Sequence, residues 1–424
     1  MKSQSKIKTW GLQALAAGSL LLNALPGQAQ VLGDDGVGEV LLFSFFSTQQ
    51  GWDSYLNISH QPGDSGAFRV LIREGYNGEK VTSFNVYNSS TWRASLSAQG
   101  NGSVLRVAEG GCLVTGSTQI EGAGAEIALS TSMGMIEVYA LPTSAETVGE
   151  SCDQIGDWSR DGRWLSGVAQ QTLVAPYAEL SGEMMLVNVA KGLATEYPAI
   201  AFREFMHNPV HPKPQADKPD LSSTREGAYR LNQLLQVSED MLGNDVTMDA
   251  SINAQTDWII SYPLIGYEEP SSWGEVMING ELRQCDSFVF PAKPGEASLS
   301  LTPAHVALWQ MDRVPALSHQ EGLLEFLADV TPLPPPVQVE PALCYGVNVV
   351  SFGDQGAMII DEGDVRHYAI ASNELIEGVS YVRWSPARYG RAAVAYKLTS
   401  FQNGTLQGGS VLANYAIMKR HVEH

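Results

Sequence analysis

Two short motifs of this sequence contain the residue types that catalysis and metal binding use. Gly63-Asp64-Ser65-Gly66 has the form of the nucleophile motif in one class of serine proteases. That chemistry needs a histidine base and an aspartate within reach of the serine, and in those proteases both come from far upstream. His60 is the only histidine before Ser65. The motif is therefore predicted to be a turn between two strands.

His207 and His211 stand four residues apart, the spacing at which two imidazoles on one helix face can share a metal ion. Four prolines lie between residues 207 and 220, and proline inside a helix removes a hydrogen bond and clashes with the preceding turn. The pattern therefore favours a surface loop, or a chain crossing between two domains, over a metal site.

Acidic residues cluster at four places, and none of these has the oxygen spacing of a calcium-binding loop. Loose Ca²⁺ binding stays open, and no dedicated cofactor is predicted. Two carboxylates could also serve as the acid and base of a glycoside hydrolase, but nothing in the sequence brings two of them together. The clusters are Asp34-Asp35, Glu239-Asp240, Glu268-Glu269, and Asp361-Glu362 with Asp364.

Three tryptophans are candidates for ligand contact. Trp158 and Trp164 flank Asp161-Gly162, and Trp273 lies in a segment rich in serine, proline and glycine. Indole rings exposed in loops can stack on sugars or anchor a partner protein. The alternative is that they cover the core of a β-sandwich.

The N-terminal 29 residues have the pattern of a secretory signal. A lysine-rich start precedes an apolar stretch over residues 11–25, and small residues precede a cleavage site after Ala29. The apolar stretch is shorter than the roughly 20 residues of a membrane-spanning helix. We expect an exported protein of the periplasm, cell surface or medium, with no transmembrane segment after cleavage.

The charge balance excludes one class of partner. The chain has 26 Lys and Arg against 46 Asp and Glu, a formal net charge of −20. Such a surface repels phosphate backbones, because nucleic-acid binding relies on cationic side chains. The expected partner is an envelope or extracellular protein or a glycan.

The four cysteines are predicted to form two disulfides, because paired cysteines are typical of exported proteins. No two of them have the C-x-x-C spacing of a thiolate metal site. Three pairings are possible, and proximity in sequence favours Cys112–Cys152 and Cys285–Cys344.

Strands are predicted wherever short apolar or alternating runs lie between turn residues. Turn signals recur roughly every 8–12 residues, as in a β-sandwich. Asn77-Gly78 is a strong hairpin signal, and Lys191-Gly192 is predicted to turn another hairpin. The predicted strands include residues 39–46, 52–59, 68–74, 81–87, 104–107, 126–130, 135–141, 257–262, 347–352, 357–360, 379–384 and 392–398.

A helix is predicted after the prolines, where Ser222 or Ser223 can cap it and Leu231, Leu234 and Leu235 recur at helical spacing. The predicted organisation is a signal peptide at 1–29, an N-terminal domain at 30–205, a proline-rich loop and helical insertion at 206–250, and a C-terminal domain at 251–424. We expect a mainly β protein with two lobes like β-sandwiches (immunoglobulin-like).

The chain resembles a family of exported, β-rich proteobacterial proteins with paired cysteines and no established activity. The resemblance implies an exported, β-rich fold and transfers no catalytic or binding residue. It rests on patches at Arg73-Glu74-Gly75, Phe84-Asn85-Val86-Tyr87, Thr91-Trp92-Arg93-Ala94, residues 253–263, residues 343–349 and residues 411–415.

The sequence therefore favours an exported, non-catalytic protein with a structural or binding role at the cell envelope or surface. Two alternatives remain. One is a glycan-binding module that uses the loop tryptophans, and the other is a hydrolase built from distant carboxylates. Trp258 is expected to be a core residue, because Trp258, Ile260 and Tyr262 share one face of a strand.

Overall fold

The part of the chain that the structure describes is mainly β, as the sequence predicts, with three extended sheets and almost no helix. The computed structural model describes residues 31–33, 35–60, 66–76, 78–116, 118–142, 151–158, 164, 180–205, 211–223, 230–231, 234–235, 253–267, 275–278, 281–284, 304–309, 345–352, 357–361, 365–368, 381–386, 392–409 and 411–420.

The first fourteen strands, numbered along the chain, are β1 (Val31–Leu32), β2 (Val40–Ser47), β3 (Asp53–His60), β4 (Gly66–Glu74), β5 (Lys80–Ser89), β6 (Thr91–Gln99), β7 (Gly102–Glu109), β8 (Cys112–Thr115), β9 (Thr118–Glu121), β10 (Glu126–Leu129), β11 (Met133–Leu141), β12 (Leu180–Asn188), β13 (Leu193–Pro198) and β14 (Ile200–Arg203). A short helix, α1 (Cys152–Ile155), lies between β11 and β12.

The later strands are β15 (Ala254–Ser261), β16 (Glu275–Ile278), β17 (Glu281–Gln284), β18 (Ala304–Trp309), β19 (Val347–Phe352), β20 (Val365–Tyr368), β21 (Tyr381–Pro386), β22 (Val394–Phe401), β23 (Thr405–Leu406), β24 (Val411–Leu412) and β25 (Tyr415–Arg420). Single 3₁₀ turns are found at Leu221–Ser223, Ile265–Tyr267 and Gln407–Gly409.

The first and second sheets share one hydrophobic core. The first sheet has the order β1-β14-β2-β11-β4-β5-β8-β9, and the second has the order β10-β7-β6-β3-β12-β13. Phe68 and Phe84 of the first sheet pack on Trp92 of the second, with ring centroids 5.9 and 6.0 Å apart. The core therefore lies between the two sheets.

The hydrophobic pattern of each strand explains which sheet faces are covered. β3 alternates between buried and accessible residues, so one face of the second sheet meets the core and the other meets solvent. β2, β4 and β11 are buried at every position. The nearly continuous apolar runs of β2 and β11 suit a sheet that is covered on both faces, and β4 buries two arginines, Arg69 and Arg73, among its apolar residues.

The third sheet has the order β20-β19-β15-β22-β25, antiparallel except for the β19–β20 pair. Trp258 lies in the central strand β15 with no exposed surface, which confirms its predicted core position. The opposite face of this strand is buried as well, including Asp257. The central strand of the third sheet is therefore covered on both faces.

The third sheet joins the first without a break in the core, because one cluster of buried apolar side chains runs from Val40 to Met418. The backbone amides of Gly346 and Val347 donate to the carbonyls of Tyr76 and Gly75 at 2.6 and 2.7 Å. The predicted boundaries at residues 205 and 250 stay a prediction, as does the immunoglobulin-like character of the lobes.

Two local predictions have different outcomes. The strand predicted at residues 357–360 is wrong, because this buried segment is irregular and Met358 has φ +44°. The helix predicted around residues 231–235 agrees with the described part, where the Leu235 amide donates to the Leu231 carbonyl at 2.9 Å and both side chains are buried.

Candidate functional site

Cys112 and Cys152 form a disulfide with their Cα atoms 5.3 Å apart, which confirms the predicted pairing. Cys112 begins β8 and Cys152 begins α1, where Ser151 and Gln154 form a reciprocal capping box. The disulfide ties α1 to the β8 region of the first sheet. The second predicted pair, Cys285 and Cys344, lies outside the described residues.

The two described candidate tryptophans are packed beside this disulfide. Trp164 is 2% exposed, and its indole N–H donates to the Ile155 carbonyl at 2.7 Å. Trp158 is partly buried and stacks on Trp164, with ring centroids 5.6 Å apart. This placement agrees with the alternative that these rings cover a core. Trp273 lies outside the described residues.

His211 completes this aromatic group. Its ring lies 3.7 Å from the Trp164 ring and nearly parallel to it. Nδ1 is 3.0 Å from the Pro142 carbonyl, which can only accept, so Nδ1 carries the proton. Nε2 then accepts from the Tyr87 hydroxyl at 2.8 Å. Both ring nitrogens of His211 are therefore hydrogen-bonded to groups of the protein. The other two candidate residues, His207 and Ser65, lie outside the described residues.

We call residues 211–223 the strap. A second group of polar contacts joins the strap to the outer face of the first sheet. Four side chains of β4 and β5 point towards the strap: Arg69, Lys80, Ser83 and Asn85. We call these four residues the donor row. All four donate to main-chain carbonyls of the strap, so the predicted proline-rich loop covers this face of the sheet.

A buried carboxylate cluster lies next to the strap. Glu137 of β11 accepts from Arg73 Nε at 2.6 Å and from the Tyr139 hydroxyl. The Tyr267 hydroxyl donates to its two oxygens at 2.7 and 2.9 Å. Asp220 of the strap lies 4.0 Å from the Arg73 guanidinium. The carboxylate cluster thus joins the first sheet, the strap and the segment after β15.

Burial and neighbouring charges determine the protonation of the two tyrosines and of Arg73 in this cluster. Burial, and then the Glu137 carboxylate, raise the pKa values of Tyr139 and Tyr267, so both hydroxyls remain neutral donors. Burial alone would lower the pKa of Arg73, but Glu137 reverses this and raises it. Arg73 also lies over the Tyr267 ring, 3.9 Å from its centroid. Both carboxylate oxygens of Glu137 accept hydrogen bonds from side chains of the protein.

Asp257 is a third buried polar group, in the central strand of the third sheet. Ser351 Oγ donates to its Oδ1 at 2.5 Å. Burial raises the pKa of Asp257 to about 7, against the opposite influence of Ser351 and the amides of Ala357 and Met358. The carboxyl thus fixes the start of the irregular segment 357–361.

The segment 357–361 is also held by the turn between β2 and β3. Trp52 Nε1 donates to the Met358 carbonyl at 3.1 Å, and Ser47 Oγ donates to the Ile359 carbonyl. The Asp361 amide donates to Gln49 Oε1 at 2.6 Å. The segment is therefore a second junction between the third sheet and the N-terminal sheets.

The accessible face of the second sheet, which we call the open face, differs from these buried sites. Tyr55 and Met185 lie opposite each other on β3 and β12 and are 38% and 37% exposed. Asn57 and Glu183 form the adjacent pair, joined by a hydrogen bond of 3.0 Å. On the neighbouring strand β13, Glu196 lies opposite Met185. An aromatic and a thioether side chain are thus surrounded by polar groups.

The positions of some buried polar residues are indicated by the sequence of their strands. Glu137 is the one charged residue of β11, whose other residues are apolar or glycine, and Arg73 and Asp257 each stand next to a run of three apolar residues in β4 and β15. A charged residue at such a position is seldom buried without a partner, so each of these residues indicates a buried polar contact. The identity of the partner depends on the tertiary fold.

The acidic clusters have protein partners where they are described. Asp35 pairs with Arg203 through two contacts of 2.6 Å, and Asp361 accepts from Gln50 at 2.9 Å. Among the described residues, no group of three or more His, Cys, Asp or Glu side chains is arranged to hold a metal ion. The same part of the chain contains no helix with the length and apolarity to cross a membrane.

Comparisons with protein-family models, curated proteins and solved structures give no match to this chain.

Proposed function

We propose that this chain is an exported, non-catalytic protein with a structural or binding role at the cell envelope or surface. The contrast between its polar sites carries the proposal. The carboxylate cluster, His211 and Asp257 are buried and connect segments of the chain. The open face, in contrast, presents Tyr55 and Met185 to solvent.

The chemistry of the open face suits binding. Tyrosine and methionine are enriched at protein interfaces, where an apolar centre is surrounded by a polar rim. The charged groups near its margin form exposed ion pairs, Arg93–Glu109 at 2.9 Å and Arg106–Glu126 at 2.7 Å. Such pairs contribute little to stability, so a partner can replace them at low cost.

The partner is an envelope or extracellular protein in this proposal, and a glycan is the second candidate. Tyr55 favours the glycan alternative, because it is an exposed ring next to the hydrogen-bonding pair Asn57 and Glu183. A sugar ring would stack on the tyrosine and bond to those polar groups. Trp158 and Trp164 do not supply such a surface, since they stack on each other.

The proposal is tested by binding of labelled mature protein to isolated cell envelopes and to a glycan array. Tyr55→Ser and Met185→Ser should each weaken binding by roughly tenfold or more, as for central interface residues. Val189→Ser is the matched control, because Val189 is apolar and 77% exposed but lies beyond the end of β12. Equal binding by all three variants would reject the open face as the binding surface.

Export is tested separately by mass spectrometry of protein purified from its native cells. Cleavage after Ala29 gives a mature chain that begins at Gln30. An intact Met1 on the folded, native protein would contradict the proposed export.

A further inference from the structure

The charged residues of the open face lie in rows that cross the strands of the second sheet. The row through Tyr55 crosses all six strands of that sheet. On one side of β3 it contains Arg106, two strands away, and on the other side it contains Glu196, also two strands away. In order, the row is Glu126, Arg106, Ser95, Tyr55, Met185 and Glu196.

The neighbouring row repeats this arrangement closer to β3. Asn57 of β3 lies between Arg93 of β6 and Glu183 of β12. Since adjacent strands are about 4.8 Å apart, the arginine and the glutamate lie about 5 Å from β3 in this row and about 10 Å from it in the Tyr55 row. Arginine and glutamate positions therefore stand at equal distances on opposite sides of β3.

The two sides differ in how their charges are paired. Each arginine already pairs with a glutamate one strand farther from β3, at 2.9 and 2.7 Å. Among the described residues, neither Glu183 nor Glu196 has a lysine or arginine partner. An arginine side chain has five N–H donors, so it can bind a second carboxylate while it keeps the first.

A two-fold axis along β3 exchanges the two sides of the open face. Half a turn about this axis lays a second copy face to face with the first, with its β12 side over the β6 side of the first copy. Arg93 then meets Glu183 of the second copy. Arg106 likewise meets Glu196 of the second copy, and each contact occurs twice. A face that matches itself under such a rotation is what an isologous dimer requires.

The face also has the size and shape of an interface. With about 4.8 Å between strands and about 3.4 Å per residue, its six strands cover roughly 700 Å². Each partner in a typical stable complex buries about 800 Å². The strands of the two copies stay nearly aligned under this axis, as in the face-to-face packing of two twisted sheets.

We propose that the open face is the interface of a symmetric dimer and that a second copy of this chain is its protein partner. The inference rests on the proposed function, because it uses the same binding surface. Tyr55 and Met185 form the apolar centre of the interface, and the arginine–glutamate contacts flank it. A uniformly basic partner fits less well, because it would meet Arg93 and Arg106 on half of the face.

The test reverses the charges of one contact, and sedimentation of the mature chain at several concentrations measures the dissociation constant of the dimer. In Arg93→Glu two glutamates face each other at both symmetry-related contacts, and in Glu183→Arg two arginines do. Each variant should weaken the dimer by roughly a hundredfold. A one-to-one mixture of the two variants restores both contacts, so it should form a heterodimer of wild-type strength. A chain that carries both changes should form a homodimer of the same strength.

Arg203→Glu is the matched control, because Arg203 of the first sheet also pairs with a carboxylate, that of Asp35 at 2.6 Å. It changes the charge by the same amount and should dimerise as wild type does. If a single variant does not fold in a thermal melt, the same exchange at Arg106 and Glu196 replaces it. The proposal is overturned if the wild type stays monomeric up to roughly 1 mM, if the single variants dimerise like wild type, or if the folded variants form no mixed dimer.

The dimer and the proposed function can fail separately. A monomer whose binding to isolated envelopes still depends on Tyr55 and Met185 would contradict the dimer and leave the proposed binding role intact. A dimer that responds to charge reversal, together with envelope binding that no open-face variant affects, would support the dimer and contradict the proposed role.

Discussion

Replacement of Glu137 by glutamine tests whether the carboxylate cluster holds the molecule together. Glutamine has the same shape, but it removes the negative charge and turns one acceptor oxygen into a donor amide. Arg73, whose side chain is 7% exposed, is left with Asp220 at 4.0 Å and the Gly78 carbonyl at 2.7 Å. The Tyr139 and Tyr267 hydroxyls then compete for a single oxygen.

Removing one partner of a buried ion pair typically costs about 3–5 kcal/mol, because the other charge stays buried without compensation. In a chain of this length, a cost of this size should lower the melting temperature by roughly 5 °C. Urea unfolding, followed by circular dichroism and extrapolated to water, measures the change in unfolding free energy.

Glu126→Gln is the matched control. Glu126 also pairs with an arginine, Arg106, at 2.7 Å, but the two side chains are 54% and 44% exposed. An exposed pair contributes less than about 1 kcal/mol, and added salt screens it. The reasoning fails if Glu137→Gln unfolds within about 1 kcal/mol of wild type, or if the two variants lose equal stability.

Three further predictions concern stability. Replacing Cys112 and Cys152 together by serine should cost about 4 kcal/mol on a chain-entropy estimate for the closed loop, measured by urea unfolding, and an unchanged midpoint would count against it. The raised pKa of Asp257 means that the folded state holds a proton that the unfolded state releases, so its stabilising effect is present at low pH and is lost as pH rises through about 7. Between about pH 5 and pH 8 the wild type should lose roughly 2–3 kcal/mol more than Asp257→Asn, and parallel pH profiles of the two melting temperatures would contradict this. Trp258→Ala should cost about 3–5 kcal/mol, and Val189→Ala should cost almost nothing in the same thermal melt; a Trp258→Ala melt like that of wild type would show that the ring is not a core residue.

The sequence predicted the strands well where local patterns determine them. The continuous apolar run of β2 and the alternation of β3 led to strands within about one residue of those observed, as is usual for strongly periodic segments. The strand predicted at residues 357–360 fails because this apolar segment is buried by the β2–β3 turn and by Asp257, contacts that no local pattern contains.

The polar sites could be predicted only in part. The Cys112–Cys152 pair followed from proximity in sequence. The contact between Glu137 and Tyr267 joins residues 130 positions apart, so it depends on how the third sheet meets the first. The proline-rich segment was expected to be a surface loop or a crossing between two domains, and it lies over the outer face of the first sheet with Pro212 and Pro214 buried and Lys213 and Gln215 exposed. Its contacts with the donor row join residues far apart in sequence, so no local pattern contains them.

The order of strands in the first two sheets affects how the chain folds. β2 lies between β14 and β11, and β3 lies between β12 and β6. A nascent or truncated chain that ends before β12 therefore has β2 and β3 as bare sheet edges, and β2 is apolar at six of its eight positions. Long, unpaired apolar edges pair with other chains. We expect such fragments to aggregate, and the intact chain to fold slowly, because both sheets need partners more than a hundred residues away.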